Sequence, residues 1–94
     1  AIAGGGEHSC AVVSGSAKGW GYNTNGQLGD GSNSSSTIPV QVSILTSGVT
    51  AIATADHSCA IANGIAYCWG DNTSGQLGEG SLSSSALPVK VKLP

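Results

Sequence analysis

Short apolar runs recur along the chain, each bounded by Gly, Asn or Ser, and none keeps a helical period. Each half offers four strand candidates, as alternating or continuous apolar runs of this kind usually do. The first is Ile2-Ala3 in the first half and Val49 to Ala53 in the second. The next is Ser9 to Val13 and Ser58 to Ala62, then Ser16 to Gly21 and Ile65 to Gly70, then Ile38 to Val42 and Leu87 to Val91. Pro39 and Pro88 fall near the start of the fourth strand, where a missing donor is tolerated. A polar loop, Asn23 to Thr37 and Asn72 to Ala86, separates the third and fourth strands and is too long for a simple hairpin. Leu28 and Leu77 are its repeated apolar anchors, expected to tie it to the body.

The pattern is a duplication. His8-Ser9-Cys10-Ala11 returns as His57-Ser58-Cys59-Ala60, 49 residues on, and Trp20-Gly21 returns as Trp69-Gly70. Gly26-Gln27-Leu28-Gly29 returns as Gly75-Gln76-Leu77-Gly78, and Ile38-Pro39-Val40 as Leu87-Pro88-Val89. A fixed period marks a repeat architecture, in which one unit cannot bury its apolar face alone. The boundaries predicted are 1–48 and 49–94, joined through Ser43 to Gly48.

Asn63-Gly64 between two apolar runs is a strong signal for a two-residue type I′ hairpin turn. That register sets Ala62 opposite Ile65 and Cys59 opposite Cys68. The two cysteines then occupy a non-hydrogen-bonded pair with Cα atoms ~4.5 Å apart, close enough for a disulfide. A bridge is the expectation. Two free thiols on adjacent strands are the alternative, and a metal site lacks a second ligand pair with zinc spacing. In the first half the turn is Ser14-Gly15 and Cys10 faces Gly19, so Cys10 reads as a buried thiol without a local partner. An interchain bridge is the other option for it.

Composition narrows the class. Gly accounts for 15 of the 94 residues, 9% are charged, and there is no Phe and no Met. Gly, Ser and Val favour short strands and tight turns. The net charge is −2, with three basic residues in all. They form no basic footprint, which argues against nucleic acid and anionic membranes. No apolar stretch approaches the ~20 residues of a membrane-spanning helix. A disulfide implies an oxidising compartment, so an extracellular or cell-surface location is expected. Asn33-Ser34-Ser35 and Asn72-Thr73-Ser74 fit the N-glycosylation pattern.

The chemistry-bearing residues read as structural. His8 and His57 precede Ser and Cys and adjoin Glu7 and Asp56, but side chains at i and i+1 on a strand point to opposite faces. They are expected to hydrogen-bond backbone between strands. Trp20 and Trp69, at the ends of central strands, read as core packing rather than sugar platforms. Asp30-Gly31-Ser32 and Glu79-Gly80-Ser81 offer one carboxylate each, short of the 6–8 oxygens calcium takes. Gly4-Gly5-Gly6 is followed by neither helix nor Lys, unlike a phosphate loop. No catalytic, cofactor or metal residue is assigned, and an enzyme is not expected.

His-Ser-Cys-Ala, then Trp-Gly, then Asn-x-x-Gly-Gln-Leu-Gly-x-Gly, then Pro-Val-x-Val, resembles the repeat of the regulator of chromosome condensation family. The resemblance covers nearly the whole chain, twice. Its Cys- and Ser-rich form looks like bacterial secreted members rather than the nuclear exchange factor. The resemblance implies an all-β fold: two four-stranded antiparallel propeller blades per chain. Propellers use ~4–8 blades, so the ring is expected to be completed by other chains or by a longer parent chain. Three or four copies would give closed rings, whereas non-closing contacts would give a fibre. The expected function is a binding or scaffold module working with other copies of itself, with a protein or glycan ligand. Positions that differ between the halves, Tyr22 and Asp71, Asn33 and Leu82, Lys18 and Tyr67, would carry specificity. A structural subunit of an extracellular fibre or surface assembly is the second expectation. A regulatory propeller, of GTPase-exchange or enzyme-inhibitor type, is the third.

Overall fold

The structure, a computed structural model, describes residues 2–4, 7–55, 57–72, 77–78 and 84–91. Gly75 and Gln76 of the second loop motif, Thr73, Ser74, Leu82 and the Glu79-Gly80-Ser81 turn lie outside the described residues, as do Gly5, Gly6 and Asp56. Eight strands are described: β1 Ile2–Gly4, β2 His8–Val13, β3 Ser16–Gly21, β4 Ser36–Gln41, β5 Val49–Thr54, β6 His57–Ala62, β7 Ile65–Gly70 and β8 Ser85–Lys90. They form two antiparallel four-stranded meanders in the orders β1-β2-β3-β4 and β5-β6-β7-β8. These are the two blades.

The central hairpins carry the turn chemistry that the sequence requires. Asn63 and Gly64 have φ of 52° and 79°, and Ser14 and Gly15 have 52° and 78°. Two consecutive positive φ values are the type I′ signature, whose twist matches that of the flanking strands. The resulting registers set Cys59 opposite Cys68 and Cys10 opposite Gly19.

The outer strands differ from expectation in one respect. β4 and β8 begin two residues earlier than the apolar pattern indicates, at Ser36 and Ser85, so Pro39 and Pro88 lie within the strand rather than near its start. Both strands are sheet edges, and an edge strand loses no ladder bond to a proline whose nitrogen faces outward. The earlier start follows from a register shift: Gly21 pairs with Ser36, and Gly70 with Ser85, across an irregularity that follows Gly19 and Cys68. A repeated local bond supports it, because Ser36 Oγ donates to the Ile38 carbonyl at 2.7 Å and Ser85 Oγ to the Leu87 carbonyl at 2.6 Å.

The main core lies between the blades, not within either one. Ala17 and Val42 of the first half, Leu45 of the joint, and Val49, Ala60, Ala62 and Trp69 of the second form a single buried cluster. Val12, Ile52 and Tyr67 pack against it. Gln41 stitches the joint to β3: its Nε2 donates to the carbonyls of Ala17, Val42 and Leu45, while its Oε1 accepts from Ser16 Oγ and Lys18 Nζ. One face of each blade is thus committed to the other blade, which is how a repeat of this size buries enough apolar surface.

The long loop after β3 is organised by Asn23, which is fully buried. Its Oδ1 accepts from the Leu28 amide at 2.9 Å, and its Nδ2 donates to the carbonyls of Ser32 and Ser34 at 3.0 Å each. Asn72 repeats the first contact with Leu77, at 3.0 Å. Leu28 and Leu77 are both fully buried beneath these loops. Replacing Leu28 by Ala removes a fully buried side chain, and urea denaturation is expected to show ~2–5 kcal/mol of lost stability. A loss below ~1 kcal/mol would mean the loop is not anchored there.

Candidate functional site

The buried polar residues converge on the seam between the blades. β2 presents His8, Cys10 and Val12 on one face, and that face meets the second blade. β6 presents Ser58, Ala60 and Ala62 in return. The loop after β3 reaches across and places Gln27 against both. His8 is 4% exposed, and Ser58, Cys10 and Trp69 are sealed.

The hydrogen bonds have a single consistent direction. The Gln27 backbone carbonyl can only accept, and it takes Trp69 Nε1–H at 2.8 Å and Ser58 Oγ–H at 3.1 Å. Ser58 has one proton, committed to that carbonyl, so at the 2.7 Å contact His8 Nε2 must be the donor. This assigns the His8 tautomer through the network. Cys10 Sγ lies 3.8 Å from Ser58 Oγ and can donate weakly to its second lone pair. His8 therefore bonds a side chain of the other blade, where the sequence suggested strand backbone. The Gln27 side chain works locally, its Oε1 accepting the Asn25 amide at 2.7 Å, and so fixes the turn that aims the carbonyl.

The glycines of the loop motif make the approach possible. A Cβ on Gly29, whose φ is +68°, would lie 2.7 Å from Trp69 Cδ1 and Nε1. A Cβ on Gly26, φ +79°, would lie 2.5 Å from the Ala86 Cα. Glycine is required at both for conformation and for space. Beside them the Gly31 amide donates to the Ala86 carbonyl at 2.9 Å, so the first loop also pins the outer strand of the second blade.

Cys, His and Ser in one cluster suggest a nucleophile, but the surroundings are those of a core. Burial pushes the Cys10 thiol up to about 11, against a smaller opposing pull from the Ser58 hydroxyl. A neutral, enclosed thiol is a weak nucleophile. The Asp30 carboxylate is absorbed in its own turn, accepting from the Ser32 amide at 3.0 Å and the Ser32 hydroxyl at 2.8 Å. Among the described residues no three His, Cys, Asp or Glu side chains come together. Asn72 is fully buried, which closes it to glycosylation, whereas Asn33 is exposed.

Cys59 and Cys68 are joined in a disulfide between β6 and β7, with Cα atoms 4.0 Å apart. Cys10 is free and buried. The residues that sequence reasoning passed over are Asn23, Asn72 and Gln41. For the asparagines the signal was available, since both recur at the same place ahead of the Gly-Gln-Leu-Gly motif.

Comparison with known proteins places this arrangement. Residues 14–61 and 63–94 match the model of the regulator of chromosome condensation (RCC1) repeat. Twenty-eight chains of solved structure match. One, the crystal structure of human WBSCR16, has a TM-score of 0.86 at 29% identity, covering 100% of this chain and 26% of that one. The chain thus spans about a quarter of that protein's length. No curated protein matches.

Two outcomes test the seam. Ser58→Ala strands buried donors and is expected to cost ~1–3 kcal/mol in chemical denaturation; no change would show that the bond is dispensable. The Cys10 thiol gives a pH signature. Below its ordinary value of 9.0 the thiol is neutral in both folded and unfolded chains, so stability does not depend on it. Between 9.0 and about 11 only the unfolded chain loses the proton, so stability falls as pH rises, and it levels off above about 11. The full loss is ~3 kcal/mol. Urea titrations across this window should show the decline in the native chain and its absence in Cys10→Ala. Parallel slopes would contradict it.

Proposed function

The chain belongs to the regulator of chromosome condensation repeat family, and we propose that it works as a non-enzymatic propeller module. It binds partners through loops held on a rigid blade frame and completes its ring with further copies of itself. One observation carries this reading. The frame is the same in both halves, down to individual hydrogen bonds at Asn23 and Asn72 or Ser36 and Ser85. The side chains beside that frame differ. Tyr22, 45% exposed, stands where the second half has Asp71, and Lys18 stands where it has Tyr67. A fixed frame with variable side chains is how repeat proteins separate folding from recognition.

The chemistry of the seam supports a structural role for the conserved-looking His-Ser-Cys motif, because every group in it is occupied in joining blades. The Cys59–Cys68 disulfide supports an oxidising setting, and with it a secreted or cell-surface protein of the bacterial type. A protein or a surface glycan is the class of ligand suited to Tyr22 and its neighbours, since amphipathic aromatics suit both.

Native mass spectrometry of the purified chain without reductant tests the assembly. Species of three or four chains, giving six or eight blades, are expected. A monomer at every concentration would overturn ring completion by copies, and an open-ended size distribution would replace the ring with a fibre.

A further inference from the structure

The blade-to-blade seam shows what each blade face is made to meet, and the chain carries one unmatched face of each kind. Toward the second blade, the first presents His8, Cys10, Val12 and Ala17, all covered to some degree. The same positions in the second blade are His57, Cys59, Ile61 and Ala66, on the side away from the first. His57 and Cys59 are only half-buried there, and Ile61 is 37% exposed. Ala51, Ala53, Cys59, Ile61 and Ala66 line a shallow apolar groove on this face, directly over the disulfide.

The opposite face shows the reverse. Ser58, Ala60, Ala62 and Trp69 fill the seam from the second blade. Their counterparts on the first blade, Ser9, Ala11, Val13 and Trp20, point away from it. Trp20 is half-buried where Trp69 is sealed, and Val13 is 54% exposed where Ala62 is 5%. Ile2 pairs with Ala11 as Ile52 pairs with Ala60. Ile52 packs against the seam core, whereas Ile2 is 73% exposed.

We infer that a second copy of this chain docks head to tail, its β1–β4 face on the β5–β8 face of the first. In this contact Ile2 of the incoming copy enters the groove above Cys59–Cys68, as Ile52 enters the seam, and its Ser9 meets His57, as Ser58 meets His8. The inference rests on the proposed self-assembly and adds its polarity and its residues. The argument is continuity: the interface is already built once inside the chain, and its two halves are presented again at the two ends. A contact of this kind is heterologous, each face being used once per copy. It also buries the disulfide.

Two variants separate the faces. Ile2→Glu places a charge on the head and Ile61→Glu places one in the tail groove; both side chains are solvent-exposed in the single chain. Analytical ultracentrifugation is expected to show multi-chain species for the native protein and monomers for each variant alone. An equimolar mixture of the two variants should give a discrete dimer, because each retains one competent face, and that dimer also certifies both variants as folded. Variants that assemble like the native chain, or a mixture that stays monomeric, would overturn the head-to-tail contact while leaving self-assembly intact. A native chain that is monomeric throughout would remove both. As a second readout, reduction of Cys59–Cys68 by dithiothreitol should slow as chain concentration rises in the native protein but not in Ile61→Glu. Concentration-independent reduction in both would count against a covered groove.

Discussion

A single backbone carbonyl sets how the two blades meet. The Gln27 oxygen accepts the Trp69 indole and the Ser58 hydroxyl at once, with the His8 ring behind Ser58. Every donor in this chain of bonds is buried, so none has water as an alternative partner. Leaving one unmade would cost ~1–3 kcal/mol, comparable to a sizeable share of a small domain's stability. The geometry is correspondingly demanding. The carbonyl can reach β7 only because Gly26 and Gly29 let the loop pass against Ala86 and the Trp69 ring. The loop holds its shape only because Asn23 binds Leu28, Ser32 and Ser34 together.

From that constraint the rest follows in order. The polar network fixes register between the blades, and the apolar cluster around Ala17, Leu45, Ala60 and Trp69 supplies the burial. The joint carrying Leu45 is tied down by Gln41 and returns the chain to begin β5. Each half therefore contributes an incomplete object, a blade with a donor face and an acceptor face. Joining two such objects leaves one of each face over, which is why Ile2 and Val13 at one end and Ile61 at the other remain exposed. Binding function, on this account, belongs to the loop side chains that differ between halves, while the repeated residues are committed to assembly.

Much of this was legible in the chain, and the parts that were not share a cause. Asn63-Gly64 announced its turn, and the turn announced the pairing of Cys59 with Cys68, because hairpin register is a local property. The edge strands were harder. Ile38 and Leu87 looked like strand starts, but β4 and β8 begin at Ser36 and Ser85 because pairing resumes there after the irregularity that follows Gly19 and Cys68. The seam was the least legible. The repeat marked His8, Ser58, Trp69 and Gln27 as special without saying that they bind one another across a copy boundary. An offset shows that positions are equivalent; it does not show which position of one copy faces which of the next. The long loop looked merely polar, since the buried hydrogen bonds of Asn23 leave no hydrophobic trace.

The most direct test is hydrogen exchange at the Trp69 indole N–H, followed by NMR on dilute protein. The account predicts exchange as slow as that of the best-protected core amides, because freeing this proton requires the blades to part. Exchange at the rate of a solvent-accessible indole would mean that the Gln27 carbonyl does not hold the seam, and the organisation argued from it would fall.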